Sequence, residues 1–175
     1  MNLVLLLFAV MSWTMIMYSS LINFFEDYLP NILVEIFKYG KVASSKRQGL
    51  HTKIEIPKAW FKHFYVVAVV AFAYIFYVTT RVYVIGANVP EWFLNFLIIC
   101  CGQSRIAHTP ATKVYLATIL LSLQVFRRYY DTHYVSVFGK DSFMSVLHYI
   151  AGIFHYPGAA IAIVCEAPVF AKNCK

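Results

Sequence analysis

Four long apolar runs without a charged side chain dominate the chain: Met1 to Phe25, Phe64 to Thr80, Val114 to Phe126 and Ser142 to Cys165. The segments between them carry nearly all of the charge. Apolar residues in these runs are continuous and not alternating, which selects helices over half-buried strands. Lipid admits helices and closed barrels, because each unpaired backbone group in hydrocarbon costs several kcal/mol. A helix needs about 20 apolar residues to cross a core of roughly 30 Å. The pattern therefore predicts an all-α, polytopic membrane helix bundle of about four spans, forming a single membrane domain over residues 1–175.

The runs differ in how well they meet that length. The first lacks a basic n-region and an A-x-A-like cleavage site and is long for a signal-peptide core, so it reads as a retained signal anchor. Residues 26–62 follow as a polar, basic loop, exposed around Ser44 to Gly49. The second helix is expected to start near Pro57 or Trp60 and to end between Arg81 and Gly86. Trp92 to Cys101 is apolar but too short to span and reads as an interfacial or re-entrant helix. The third run, 13 residues long, reaches across if Thr109 joins it and Lys113 snorkels to the headgroups. The fourth holds His148 and His155 on one face, followed by the kink-prone pair Pro157 and Gly158.

Composition strengthens this reading: 61% hydrophobic and 13% charged residues, with a mean hydropathy of +0.65, exclude an ordinary soluble domain. The net charge of +7 does not point to nucleic acid, since seven of the fifteen Lys and Arg residues (Lys38, Lys41, Lys46, Arg47, Lys53, Lys58 and Lys62) lie in the first loop. They form a juxtamembrane collar suited to anionic membrane lipids. The next loop carries Arg105 and the third Arg127, Arg128 and Lys140, so the odd loops are expected to be cytosolic and the N-terminus lumenal or external. Cys100, Cys101, Cys165 and Cys174 show no metal-ligand spacing and read as packed or lipid-facing thiols. No metal site is expected, and the sequence leaves the oligomeric state open.

No Walker motif, G-x-G-x-x-G, H-E-x-x-H or G-x-S-x-G occurs, so any chemistry rests on polar residues at membrane depth. Gln124, Arg128 and Asp131 fall on one helical face if the third helix continues past Phe126. Such a stripe either faces a cavity or anchors a helix end at the interface. His63 serves as an acid or base if a partner orients it, and otherwise as a structural residue. His148 and His155, seven apart, are poorly spaced to chelate and read as core or interface residues.

These clusters resemble the steroid 5-alpha-reductase family, and within it the polyprenol reductase branch. The likeness rests on Tyr39-Gly40-Lys41, the stretch Ile56 to Tyr65 (IPKAWFKHFY), Gln124 to Phe138 (QVFRRYYDTHYVSVF) and His148 to Tyr156 (HYIAGIFHY). It implies a multi-pass enzyme of the endoplasmic reticulum membrane that uses NADPH to reduce the alpha-isoprene double bond of polyprenol, or of its aldehyde polyprenal, toward dolichol for protein N-glycosylation. Chemically, hydride goes to the beta carbon of the enal while a donor stabilises charge on the carbonyl oxygen.

The resemblance places Tyr39 and Lys41 near the cofactor and Arg128 at the end of a helix lining the cavity, so these three are expected to bind cofactor. Gln124 and Asp131, on the same helical face as Arg128, are expected to border the substrate cavity. Two registers compete for the family's substrate-holding glutamate. One places it on Glu55, the other close to His63, and the second is favoured because His63 lies deeper along the helix. The tyrosine that partners that glutamate in steroid-reducing members falls on Val125, which cannot donate a hydrogen bond, so steroid reduction is disfavoured. The alternatives are a steroid or enoyl reductase, or a non-catalytic membrane binding or scaffold protein of the same fold. Members of the family run to about twice a domain of roughly 150 residues, so this chain is expected to be an amino-terminal portion that is not a competent reductase alone.

The charge asymmetry generates a topology prediction. A glycosylation site introduced near Val89 should be modified and one near Arg47 should not. Modification near Arg47 would invert the bundle.

Overall fold

The computed structural model describes residues 2–30, 34, 55–139 and 142–171. Over these residues the chain forms helices α1 (Leu3–Phe25), α2 (Phe61–Tyr83), α3 (Glu91–Cys101), α4 (Ala111–Tyr130) and α5 (Val146–Cys165). Two three-residue strands, β1 (Glu55–Pro57) and β2 (Phe143–Ser145), precede α2 and α5. The expected all-α membrane bundle is what the chain adopts. The strand pair was not legible in the sequence.

Local chemistry sets the helix starts. The Asn2 side chain accepts a hydrogen bond from the Leu5 amide at 3.0 Å, and the Ser145 side chain accepts one from the Leu147 amide at 3.3 Å, in each case satisfying an orphan donor of the first turn. Pro90 and Pro110 stand immediately before α3 and α4 in extended conformation, where the missing N–H costs nothing. Gly102 ends α3 with φ of 86°, a value that glycine adopts without strain. α5 runs through Pro157.

Among the described residues three helical segments are long and apolar enough to cross a membrane: Leu3–Tyr28, Lys58–Tyr83 and Val146–Cys165. α3 is too short, as expected. α4 falls outside that set by composition alone, so the expected count of about four is neither reached nor overturned. Its 20 residues reach about 30 Å, but Lys113, Gln124, Arg127 and Arg128 leave it too polar to join that set.

α2 is the centre of the bundle. It runs antiparallel to α4, since the Thr80 and Tyr115 hydroxyls meet at 3.1 Å near one end and Arg128 reaches Tyr65 near the other. It runs parallel to α5, with Phe64 beside Gly152 and the Tyr83 hydroxyl donating to the Pro168 carbonyl at 3.0 Å. Ala68, Phe72, Ile75, Thr79 and Val82 form its buried stripe, at alternating spacings of four and three that keep one face toward a partner. Val114, Thr118, Ser122 and Val125 form the corresponding stripe of α4. α1 lies at the edge and meets the rest through Val4, Leu7 and Phe8, while most of its length is exposed.

This arrangement gives the bundle two distinct ends. The segments entering α2 and α5 and the exit of α4 lie at one end, joined by β1 and β2. The α2–α3 and α3–α4 connections lie at the other with residues 166–171, joined by the Arg105 side chain and the His108 amide. The first and third loops thus share an end, the pairing that the basic-residue count requires.

Gly152 is where a side chain has no room. A Cβ there would lie 2.6 to 2.9 Å from three atoms of the Phe64 ring, a ring held in the core. Gly152→Val should therefore destabilise the bundle by about 1 to 3 kcal/mol, read as a lower thermal midpoint in lipid nanodiscs. Gly139→Ala, whose Cβ would meet Ser142 at an ordinary 3.8 Å, should leave it unchanged. Equal midpoints for the two variants would contradict this packing.

Candidate active site

The first end of the bundle gathers the chemistry. Glu55 pairs with Ser145, Ile56 with Met144 and Pro57 with Phe143 in antiparallel register, and the Lys58 amide donates to the Ser142 carbonyl at 2.8 Å. Because β1 leads through one turn, Lys58–Trp60, into α2, and β2 leads directly into α5, this ladder fixes the two helix entries side by side. The consequence is a specific contact: His63 Nδ1 and the Tyr149 hydroxyl lie 3.0 Å apart. Trp60 packs against both rings, at 5.6 and 5.8 Å between centroids, and Phe64 lies 5.3 Å from Tyr149. His63 is exposed and Tyr149 half-buried, so the pair sits at the surface of this end with an aromatic wall behind it.

A second cluster lies deeper. Tyr65 is 3% exposed, and Arg128 Nε donates to its hydroxyl at 3.2 Å while the guanidinium lies 5.4 Å from the centre of its ring. Tyr156 packs on Tyr65 at 5.4 Å between centroids. Tyr149 and Tyr156 are seven residues apart, and that spacing keeps both on the face of α5 turned to α2. Among the described residues the terminal Nη groups of Arg128 have no hydrogen-bond partner, which leaves a planar cationic fork open to an anionic group.

The polar stripe expected on α4 is divided. Arg128 turns to Tyr65, Asp131 pairs with exposed Arg127 at 4.0 Å, and Gln124 is exposed. An ion pair of that kind at the surface contributes about 0 to 1 kcal/mol. α4 then leaves through a wider π turn over Asp131–Val135, closed by the Ser136 amide donating to the Asp131 carbonyl at 2.7 Å. Such turns shift side chains off the regular helical register. Within it His133 stacks on Tyr129 at 4.2 Å and buried Thr132 donates to the Arg128 carbonyl at 2.8 Å.

Glu55 sits half-buried on β1, at the same end as His63, so both register candidates border one region. Tyr39 and Lys41 lie outside the described residues. Val125 is 2% exposed in the apolar core and offers nothing to a substrate. His148 is exposed and not a core residue. His155 meets the edge of Phe8 at 5.5 Å, an interface role between α1 and α5. Sequence reasoning missed Tyr65, Tyr149 and Tyr156. The heptad spacing of the last two was visible, but each follows a histidine that drew the attention.

Similarity to known proteins is concentrated in one group. The chain is 34% identical to a polyprenal reductase of Drosophila melanogaster over 177 aligned positions, covering 99% of this chain and 54% of that protein. It is 38% identical to a Caenorhabditis elegans polyprenal reductase over 73% of this chain and 41% of that protein, and 25% identical to the human one over 81% and 45%. These relatives bear out the branch to which the motifs pointed. The chain spans about half the length of the curated relatives it matches. No family model matches it, and no solved structure matches it significantly.

The His63–Tyr149 contact predicts that Tyr149→Phe leaves the fold intact, at a cost of about 1 kcal/mol or less, while shifting the His63 ring-nitrogen resonances of the labelled chain. Unchanged resonances would show that the two side chains do not bond in the membrane.

Proposed function

We propose that this chain, related to the polyprenal reductases over nearly its whole length, carries the aldehyde-binding end of an enzyme that reduces polyprenal with NADPH toward dolichol. The relatives' name supplies the substrate class, and the 34% identity over 99% of the chain is the observation that carries the reading. The geometry fits such a substrate. A long isoprenoid partitions into lipid, and the His63–Tyr149 pair presents a phenol and an imidazole at the end of an otherwise apolar bundle.

NADPH would supply the hydride to the beta carbon of the enal. The work of this chain's residues is to hold the reactants and manage the proton. Tyr149 or His63 donates a hydrogen bond to the carbonyl oxygen as negative charge develops there, the kind of fixed donor that contributes most to such a step. Arg128, whose Nη groups have no hydrogen-bond partner among the described residues, suits a phosphate of the cofactor, and Tyr39 and Lys41 are proposed to join it. Gln124 and Asp131 are proposed to border the substrate path, and Glu55 remains the alternative to His63 as the group nearest the carbonyl. The proposed location is the endoplasmic reticulum membrane, where dolichol serves protein N-glycosylation.

A steroid substrate is disfavoured because the position that would supply its second donor is Val125, buried in the helix seam.

Expression of the complete gene product in cells lacking polyprenal reduction tests this directly. Restored dolichol would support the proposal, and unrestored dolichol at normal protein abundance would overturn it. Within that assay His63→Ala and Arg128→Ala should each lower turnover at least tenfold, about 1.4 kcal/mol in the barrier, at unchanged abundance. Lys46→Ala should do little, and Glu55→Gln separates the two registers.

A further inference from the structure

The opposite end of the bundle holds chemistry that the proposed reduction does not use. Cys101 is the last residue of α3 and Cys165 the last residue of α5. Both are buried, at 5% and 6% exposure, in one small cluster with Val4, and the Cys165 thiol donates to the Ala162 carbonyl of its own helix at 3.3 Å. Beside them lies Arg105, 7% exposed. It donates through Nε to the Gly102 carbonyl at 2.9 Å and through Nη1 to the Cys165 carbonyl at 3.1 Å. Among the described residues this guanidinium has no carboxylate partner, so it places a fixed positive charge where an attacking sulfur carries transient negative charge.

We infer that Cys101 and Cys165 form a redox-active dithiol, a site of disulfide formation that ties the end of α3 to the end of α5. A disulfide needs the two sulfurs brought to about 2.05 Å with a dihedral near 90°. Both cysteines stand where the backbone can adjust: Gly102 follows Cys101 with φ of 86°, and residues 166–171 leave helical geometry after Cys165. Cys100, half-buried beside the cluster, is turned about 100° around α3 from Cys101 and is not part of the bond.

The chemistry balances with a two-electron oxidant of the disulfide or azo class. One thiolate attacks the oxidant, the second thiol displaces the adduct, one sulfur–sulfur bond forms, and two protons and two electrons pass to the oxidant. The bond closes a loop from residue 101 to residue 165 and clamps the α3–α4 connection under α5, at the end remote from His63 and Arg128. It therefore stands or falls independently of the proposed reduction.

The purified 175-residue chain in lipid nanodiscs is treated with diamide, alkylated with N-ethylmaleimide in denaturant and digested without reduction. The expected product is a Cys101–Cys165 linked peptide, lighter by two hydrogens than its separate parts and released by dithiothreitol. The link should persist in Cys100→Ser and in Cys174→Ser and be lost in Cys165→Ser. Full alkylation of Cys101 and Cys165 in the oxidised wild-type chain, or a link formed with Cys100 or Cys174 instead, would overturn the inference.

Discussion

In hydrocarbon a helix gains little by hiding apolar surface, because lipid is as apolar as leucine, so helices associate through close approach and shared polar contacts. The antiparallel seam between α2 and α4 is built on that constraint. Thr79 and Thr118 are fully buried, and each turns its hydroxyl back to a carbonyl of its own helix, at 2.8 and 2.9 Å, so the backbones approach without an orphaned donor at these positions. Hydrogen bonds close the seam at both ends, Thr80 to Tyr115 at one and Arg128 to Tyr65 at the other. α5 then packs on the remaining face of α2, where Gly152 admits the Phe64 ring.

Once that seam is set, the polar side chains are pushed to the two ends, and the ends diverge in chemistry. At one, the β1–β2 ladder holds two helix entries together and presents phenol, imidazole and guanidinium groups. At the other, Arg105 caps the last carbonyl of α5 and the residue after α3, two helix C-termini whose dipoles favour a cation. The first end gathers a phenol, an imidazole and a guanidinium, whereas the second holds two thiols. Separation along the bundle allows one end to be covalently tied without touching the other.

Much of this was readable in the sequence. Charge-free runs gave the helices α1, α2 and α5 nearly to their bounds, and the short apolar stretch Trp92 to Cys101 gave α3. α4 was harder, because Lys113 and Arg127 bracket a 13-residue apolar run that continues as helix through Arg127, Arg128, Tyr129 and Tyr130. The strand pair escaped notice since three residues carry no periodicity. His63 and Arg128 were recognisable as polar residues in costly places, and Glu55 as one register of the family glutamate. The contacts that give them meaning, from Tyr149 and Tyr65, depend on which helix faces which, and local pattern does not encode that. The same limit hid the partner of Asp131: helical spacing brings it near both Arg127 and Arg128, and because Arg128 turns to Tyr65 it is Arg127 that pairs with it.

The central claim is that substrate reacts at the end where α2, α4 and α5 meet β1 and β2. A polyprenal analogue carrying a photoreactive diazirine next to the aldehyde, crosslinked to the protein in nanodiscs and mapped by mass spectrometry, tests this most directly. The account predicts labelling confined to residues 55–65, 128–131 and 146–156, reduced by excess polyprenal. Labelling concentrated on residues 91–108, or spread evenly along α1 and unaffected by competitor, would contradict it.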